Sequence, residues 1–94
     1  MPSEAAAIAA RPWFVYILRC ADKSLYTGVT LDVNKRLDEH NGLEKNGAKY
    51  THGRRPVQLA YQELTSSRSA AYKREHAIKS LSRCEKEALL KSQK

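Results

Sequence analysis

Ninety-four residues, 41% of them hydrophobic, suffice for one compact domain with a modest core and exclude a second. Seventeen Lys and Arg against ten Asp and Glu leave a formal charge of +7, concentrated in RPWFVYILR, KYTHGRR and the chain from Arg68 onward. Such a balance favours an anionic partner, above all nucleic acid, while a basic face kept only for solubility is the plain alternative.

No apolar run is long enough to cross a membrane. Cys20 and Cys84 lie far apart without a ligand motif and suit free thiols in a reducing, cytoplasmic setting. The leading PSEAAAIAA carries Glu4 and has no Lys or Arg ahead of its short apolar part, so it does not read as a signal peptide. Residues 1–11 are expected to form a mobile tail and residues 12–94 a single domain.

WFVYILR, residues 13–19, is rich in aromatic and β-branched side chains and predicts a strand; LYTGVT, residues 25–30, predicts a second. The intervening CADKS suits a hairpin loop. That loop sets Arg19 opposite Leu25, Leu18 opposite Tyr26 and Tyr16 opposite Gly28. Tyr16 and Tyr26 then become diagonal neighbours on one face, about 7 Å apart, and Gly28 leaves room beside the Tyr16 ring.

Asp32 is placed to cap a helix over 33–41 and Gly42 to end it. Residues 42–56 read as a loop with at most one turn of helix. PVQLAYQEL alternates as a third strand, with Val57, Leu59 and Tyr61 on one side. Serines at 66 and 67 cap a helix reaching about Leu81, and a shorter amphipathic helix starts near Ser82. The order β-β-α-β-α-α predicts an α+β domain, a three-stranded antiparallel sheet flanked by helices.

The helices carry polar groups where apolar ones are expected. At about 100° per residue, Val33, Arg36, Leu37 and His40 share one sector of roughly 100°, so the face that buries Val33 and Leu37 also bears an arginine and an imidazole. Snorkelling of Arg36 along the helix edge is the competing explanation. On the next long helix Glu75 borders the stripe formed by Ala70, Ala71, Ala77, Ile78 and Leu81, either pairing with Arg68 or Lys79 or pointing into a shared cleft. A carboxylate, a permanent cation, an imidazole and two phenols are the parts of a metal-assisted phosphodiesterase.

With Phe14-Val15-Tyr16 in place of GIY, Tyr26-Thr27-Gly28 in place of YIG, Arg36 on the next helix and Glu75 on a later one, the chain resembles the GIY-YIG nuclease superfamily from about Trp13 to Arg83. Gly47-Ala48-Lys49-Tyr50-Thr51 is similar to a GAKYT-like loop of its small stand-alone bacterial members. Phe14 and Thr27 depart from the motif, and the polar residue that follows the metal Glu in many relatives has no clear counterpart.

The resemblance implies a DNA-cleaving or structure-specific nuclease, linked to DNA repair or processing, using one Mg²⁺ or Mn²⁺. It implies Glu75 as metal ligand, Arg36 as phosphate clamp, and Tyr16 or Tyr26, Tyr16 favoured, as the group that activates water, with His40 contacting phosphate or assisting proton transfer. Lys49, Tyr50, His52, Arg54 and Arg55, together with the open backbone at Gly28, are candidate contacts to nucleic acid, DNA more than RNA. A homodimer or a protein partner would supply specificity. The rival functional readings are a non-cleaving nucleic-acid-binding module and a surface for an acidic protein.

Overall fold

The computed structural model describes residues 12–43 and 49–92. The expected N-terminal tail and the Gly47-Ala48 half of the GAKYT-like loop lie outside them. Strand β1 (Trp13–Arg19) pairs antiparallel with β2 (Leu25–Thr30), Arg19 opposite Leu25, Leu18 opposite Tyr26 and Tyr16 opposite Gly28. The five-residue loop thus sets the register that its length predicts. Strand β3 (Gln58–Thr65) pairs antiparallel with the other edge of β1, giving the order β2-β1-β3.

Among the described residues four helices complete the fold: α1 (Val33–His40), the single turn α2 (Lys49–His52), α3 (Arg68–Lys79) and α4 (Arg83–Ser92). The starts of α1, α3 and α4 follow from capping chemistry. Asp32 accepts from the Lys35 amide, Ser67 from the Ala70 amide, and Ser82 and Glu85 bond each other's amides as a reciprocal box. Gly42, at φ 82°, turns the chain away after α1.

As the central strand, β1 is covered on both faces, and Val15, Tyr16, Ile17 and Leu18 are each at most 1% exposed. Val15 and Ile17 pack with Tyr61 against Ala71 and Ile78 of α3 and, further out, Leu89 and Leu90 of α4. Tyr16, Leu18 and Cys20 pack on the opposite face with Val57, Tyr26, Leu59 and Leu37 of α1. Burying side chains of this size contributes about 1.5–3 kcal/mol each, so the two-sided burial of β1 fixes the sheet between α1 and α3.

The alternation read for β3 needs correcting. Between Ile17 and Leu18 the partner on β3 jumps from Tyr61 to Leu59, a bulge that leaves Ala60 unmatched. One inserted residue flips the faces of the residues beyond it, so Val57 and Leu59 join the Tyr16 face while Tyr61 lies on the Val15 face. The apolar stripe of α3 is also narrower than its sequence suggests. Ala71 and Ile78 are fully buried, Ala77 is exposed, and Glu75 stands at the border of the buried pair with its side chain 18% exposed.

Candidate active site

The two tyrosines meet as their register requires, with ring centres 6.4 Å apart. The room left by Gly28 is filled by Tyr16 itself: a Cβ at position 28 would stand 2.6 Å from the Tyr16 hydroxyl and 2.8 Å from Cζ. Gly28 is buried, so it offers no surface to nucleic acid, and its contribution is to let the phenol lie across the strand. Gly28→Ala should displace that ring and lower stability by about 1–3 kcal/mol, read by urea denaturation. Unchanged stability would mean that the strand gives way instead of the ring.

Behind the phenol lies a buried relay. Tyr16 Oη is 2.9 Å from His40 Nε2, and His40 Nδ1 is 2.8 Å from Thr51 Oγ1. His40 and Thr51 are both 0% exposed. The Arg36 guanidinium also hydrogen-bonds the phenol. Arg36 can only donate, so the phenol oxygen accepts from it, while the directions of the Tyr16–His40 and His40–Thr51 bonds follow the His40 tautomer. Direct contact of His40 with phosphate, one of its two expected roles, is closed by its burial; it reaches the site through Tyr16.

Three bonds lock the end of α1 that carries His40. Arg55 Nε donates to the His40 carbonyl at 2.7 Å, while the Asn41 side chain both accepts from the Val57 amide (2.7 Å) and donates to the Val57 carbonyl (3.0 Å). Arg55 is thus half-buried in a structural bond, and Arg54 lies over the Tyr50 ring at 4.1 Å while paired with Asp22 at 3.0 Å. Lys49, Tyr50 and His52 are exposed. Tyr50 stacks beside Tyr26 at 5.6 Å, and Tyr26 beside His40 at 5.0 Å, so the basic loop is continuous with the tyrosine pair.

Burial pushes the Tyr16 phenol up to about 12 against the pull of Arg36, and burial, aided by the Arg36 charge, pushes His40 down to about 4. Both are neutral at pH 7. An unfolded chain's imidazole binds a proton near 6.5. As the pH falls from 6.5 toward 4, the unfolded state therefore takes up a proton that the folded state refuses, and stability declines. The gap corresponds to at most about 3 kcal/mol. Urea denaturation from pH 7 to pH 4 should show this decline, and His40→Gln should flatten it; a decline of the same size in the variant would assign it to other groups.

Arg36 and Glu75 approach from opposite faces of the sheet, on α1 and α3. Arg36 Nη1 pairs with Glu39 at 2.9 Å and lines a cleft of about 430 Å³ with Trp13, Val29, Thr30, Leu31, Asp32, Lys35 and Glu39. Glu75 has an 18% exposed side chain, pairs with Lys79 at 3.4 Å, and lies close enough for its charge to be felt at Tyr16. Among the described residues no three His, Cys, Asp or Glu form a metal cage. A lone carboxylate still fits a hydrated Mg²⁺, which retains most of its water.

Sequence reasoning missed Glu39, the partner that holds Arg36, and Thr51, the end of the relay. Glu39 sits three residues after Arg36, a spacing that could have suggested the pair. Thr51 had no local signal, because its bond to His40 depends on how the loop folds back.

The GIY-YIG catalytic domain profile matches residues 12–88. The UPF0213 protein DP2720 of Desulfotalea psychrophila is 54% identical over 80 residues, 85% of this chain and 72% of that protein. The solution structure of the UPF0213 protein BH0048 from Bacillus halodurans is 41% identical with a TM-score of 0.57, covering 87% of this chain and 85% of that one. That of protein EF2693 from E. faecalis is 42% identical with a TM-score of 0.59, covering 86% and 84%. The chain therefore belongs to the GIY-YIG nuclease superfamily, alongside its small single-domain UPF0213 members.

Proposed function

We propose that the protein is a divalent-metal-dependent endonuclease that hydrolyses phosphodiester bonds in DNA, structure-specific and serving DNA repair or processing. The observation that carries the reading is Arg36, which lines an open cleft, is held by Glu39 and bonds the same phenol that feels the charge of Glu75. GIY-YIG nucleases generally use divalent metal ions, and Glu75 is the residue that would hold one here, Mg²⁺ or Mn²⁺. The ion would neutralise phosphate charge and acidify bound water.

Arg36 binds the phosphate and opposes the charge that grows on it in the transition state. Tyr16, 1% exposed and neutral up to about pH 12, orients Arg36 and is itself held by His40. That shifts the preference between the phenols. Tyr26 is half-buried and reached by solvent, so Tyr26 positions the attacking water. Lys49, Tyr50 and His52 extend the contact along the strand, and a second copy or a protein partner supplies further specificity.

The test is cleavage of labelled single-stranded, duplex and branched DNA, with RNA counterparts, in Mg²⁺, Mn²⁺ or EDTA. Metal-dependent cutting that EDTA abolishes is expected. The high titration point of Tyr16 favours one rival, a binding module that does not cut. Binding without cutting under every metal condition, with affinity falling steeply as salt rises, would establish that rival.

A further inference from the structure

Trp13 lines the Arg36 cleft, and its ring is also approached by a group that neither the tyrosine pair nor the basic loop uses. The Arg68 guanidinium lies 5.7 Å from the Trp13 ring centre and 5.4 Å from that of Tyr72. Both distances fall at the loose end of a cation–π contact. Arg68 is exposed, and no carboxylate among the described residues pairs with it. Tyr72, 44% exposed, is one of the few large aromatic rings that the fold leaves in water.

Within the cleft the two carboxylates are already engaged. Asp32 caps α1 and Glu39 holds Arg36. Lys35 has no ion-pair partner among the described residues. The surface therefore runs from Arg36 and Lys35 past Trp13 to Arg68 and Tyr72, cations alternating with ring faces. A strand of nucleic acid presents the matching alternation of phosphate and base, and base stacking on exposed rings is how such strands are held without pairing. The cleft volume of about 430 Å³ lies within the range of small-molecule sites, about 300–1,000 Å³. A duplex keeps its bases stacked on one another and offers none to Tyr72.

The geometry points to a base-stacking subsite formed by Trp13, Arg68 and Tyr72, which takes an unpaired nucleotide next to the phosphate bound at Arg36. This rests on the nuclease reading for what Arg36 binds, and on the ring and guanidinium positions for the rest.

Trp13 is the only tryptophan in the chain, so its fluorescence reports the subsite directly. Titrations in EDTA, where no cutting intervenes, would use a short single-stranded deoxyoligonucleotide, the ribo-oligonucleotide of the same sequence, and a blunt duplex of it. Quenching by at least one of the single strands and little by the duplex is expected, the two arms telling DNA from RNA. Tyr72→Ala and Arg68→Ala, both at exposed positions, should each weaken single-strand binding roughly 5- to 150-fold, and Tyr72→Phe should restore it. Equal quenching by the blunt duplex, no quenching at all, or affinity unmoved by both alanine variants would overturn the subsite. Cleavage measured in parallel separates the two inferences. Quenching without cutting keeps the subsite and removes the nuclease, whereas cutting without quenching does the reverse.

Discussion

Glu75→Gln is expected to lower metal-dependent cleavage by about 10³-fold or more while leaving the fold in place. A metal ion contributes several kcal/mol of transition-state stabilisation, and each 1.36 kcal/mol is a factor of ten in rate. The amide keeps the shape of the side chain at the border of the Ala71–Ile78 stripe but loses the charge that would hold the ion. Little stability goes with it, because the Lys79 partner is 53% exposed and an exposed pair of this spacing contributes about 0.3–0.5 kcal/mol. A second readout is independent of catalysis. Tyr16 titrates near 12 chiefly because it is buried, with the Glu75 charge adding to the rise, so the variant's Tyr16 should ionise at lower pH in an ultraviolet titration. Cleavage at the wild-type rate, with the tyrosine titration shifted as expected, would show that Glu75 neighbours the site without holding metal.

The sequence made most of this arrangement legible where one local rule settled the matter. A five-residue hairpin loop allowed the β1–β2 register to be counted, and from the register came the tyrosine pair and the crowding at Gly28. Helix periodicity put Arg36 and His40 on the buried side of α1, and cap residues marked the starts of α1 and α3. What escaped depends on distant segments. The bulge at Ala60 inserts one residue into an otherwise regular alternation, and nothing in PVQLAYQEL marks it. His40 was visible as a histidine on an apolar face, but whether it faced phosphate or a buried phenol depended on Thr51, eleven residues on. Arg54 and Arg55 counted as free cations in the sequence, yet Asp22 and the His40 carbonyl claim them. Charge composition names a class of partner; only packing shows which charges remain for it.

Arg36→Ala should reduce cleavage by about 10²–10³-fold, the effect of removing one group aimed at transition-state charge. Taken alone the loss is ambiguous, because Arg36 is also a structural residue. Burial pulls its guanidinium toward the neutral form, but bonds to Glu39 and Tyr16 outweigh burial and hold it charged. Removing it leaves the Glu39 carboxylate, whose side chain is 13% exposed, without that partner, and a polar group stranded in this way costs about 1–3 kcal/mol. The variant should therefore unfold at lower urea as well as cut more slowly. Adding Glu39→Gln separates the two effects, since a neutral amide needs no cation: stability should return toward wild type while cleavage stays low. Arg36→Lys should fall between, keeping the charge but not the planar fork that spans two oxygens. If cleavage recovered with stability in the double variant, Arg36 would be a scaffold for α1 and the phosphate clamp would have to be sought elsewhere. If it does not, the guanidinium faces the reacting phosphate, and Glu39 and Tyr16 are the two groups that hold it there.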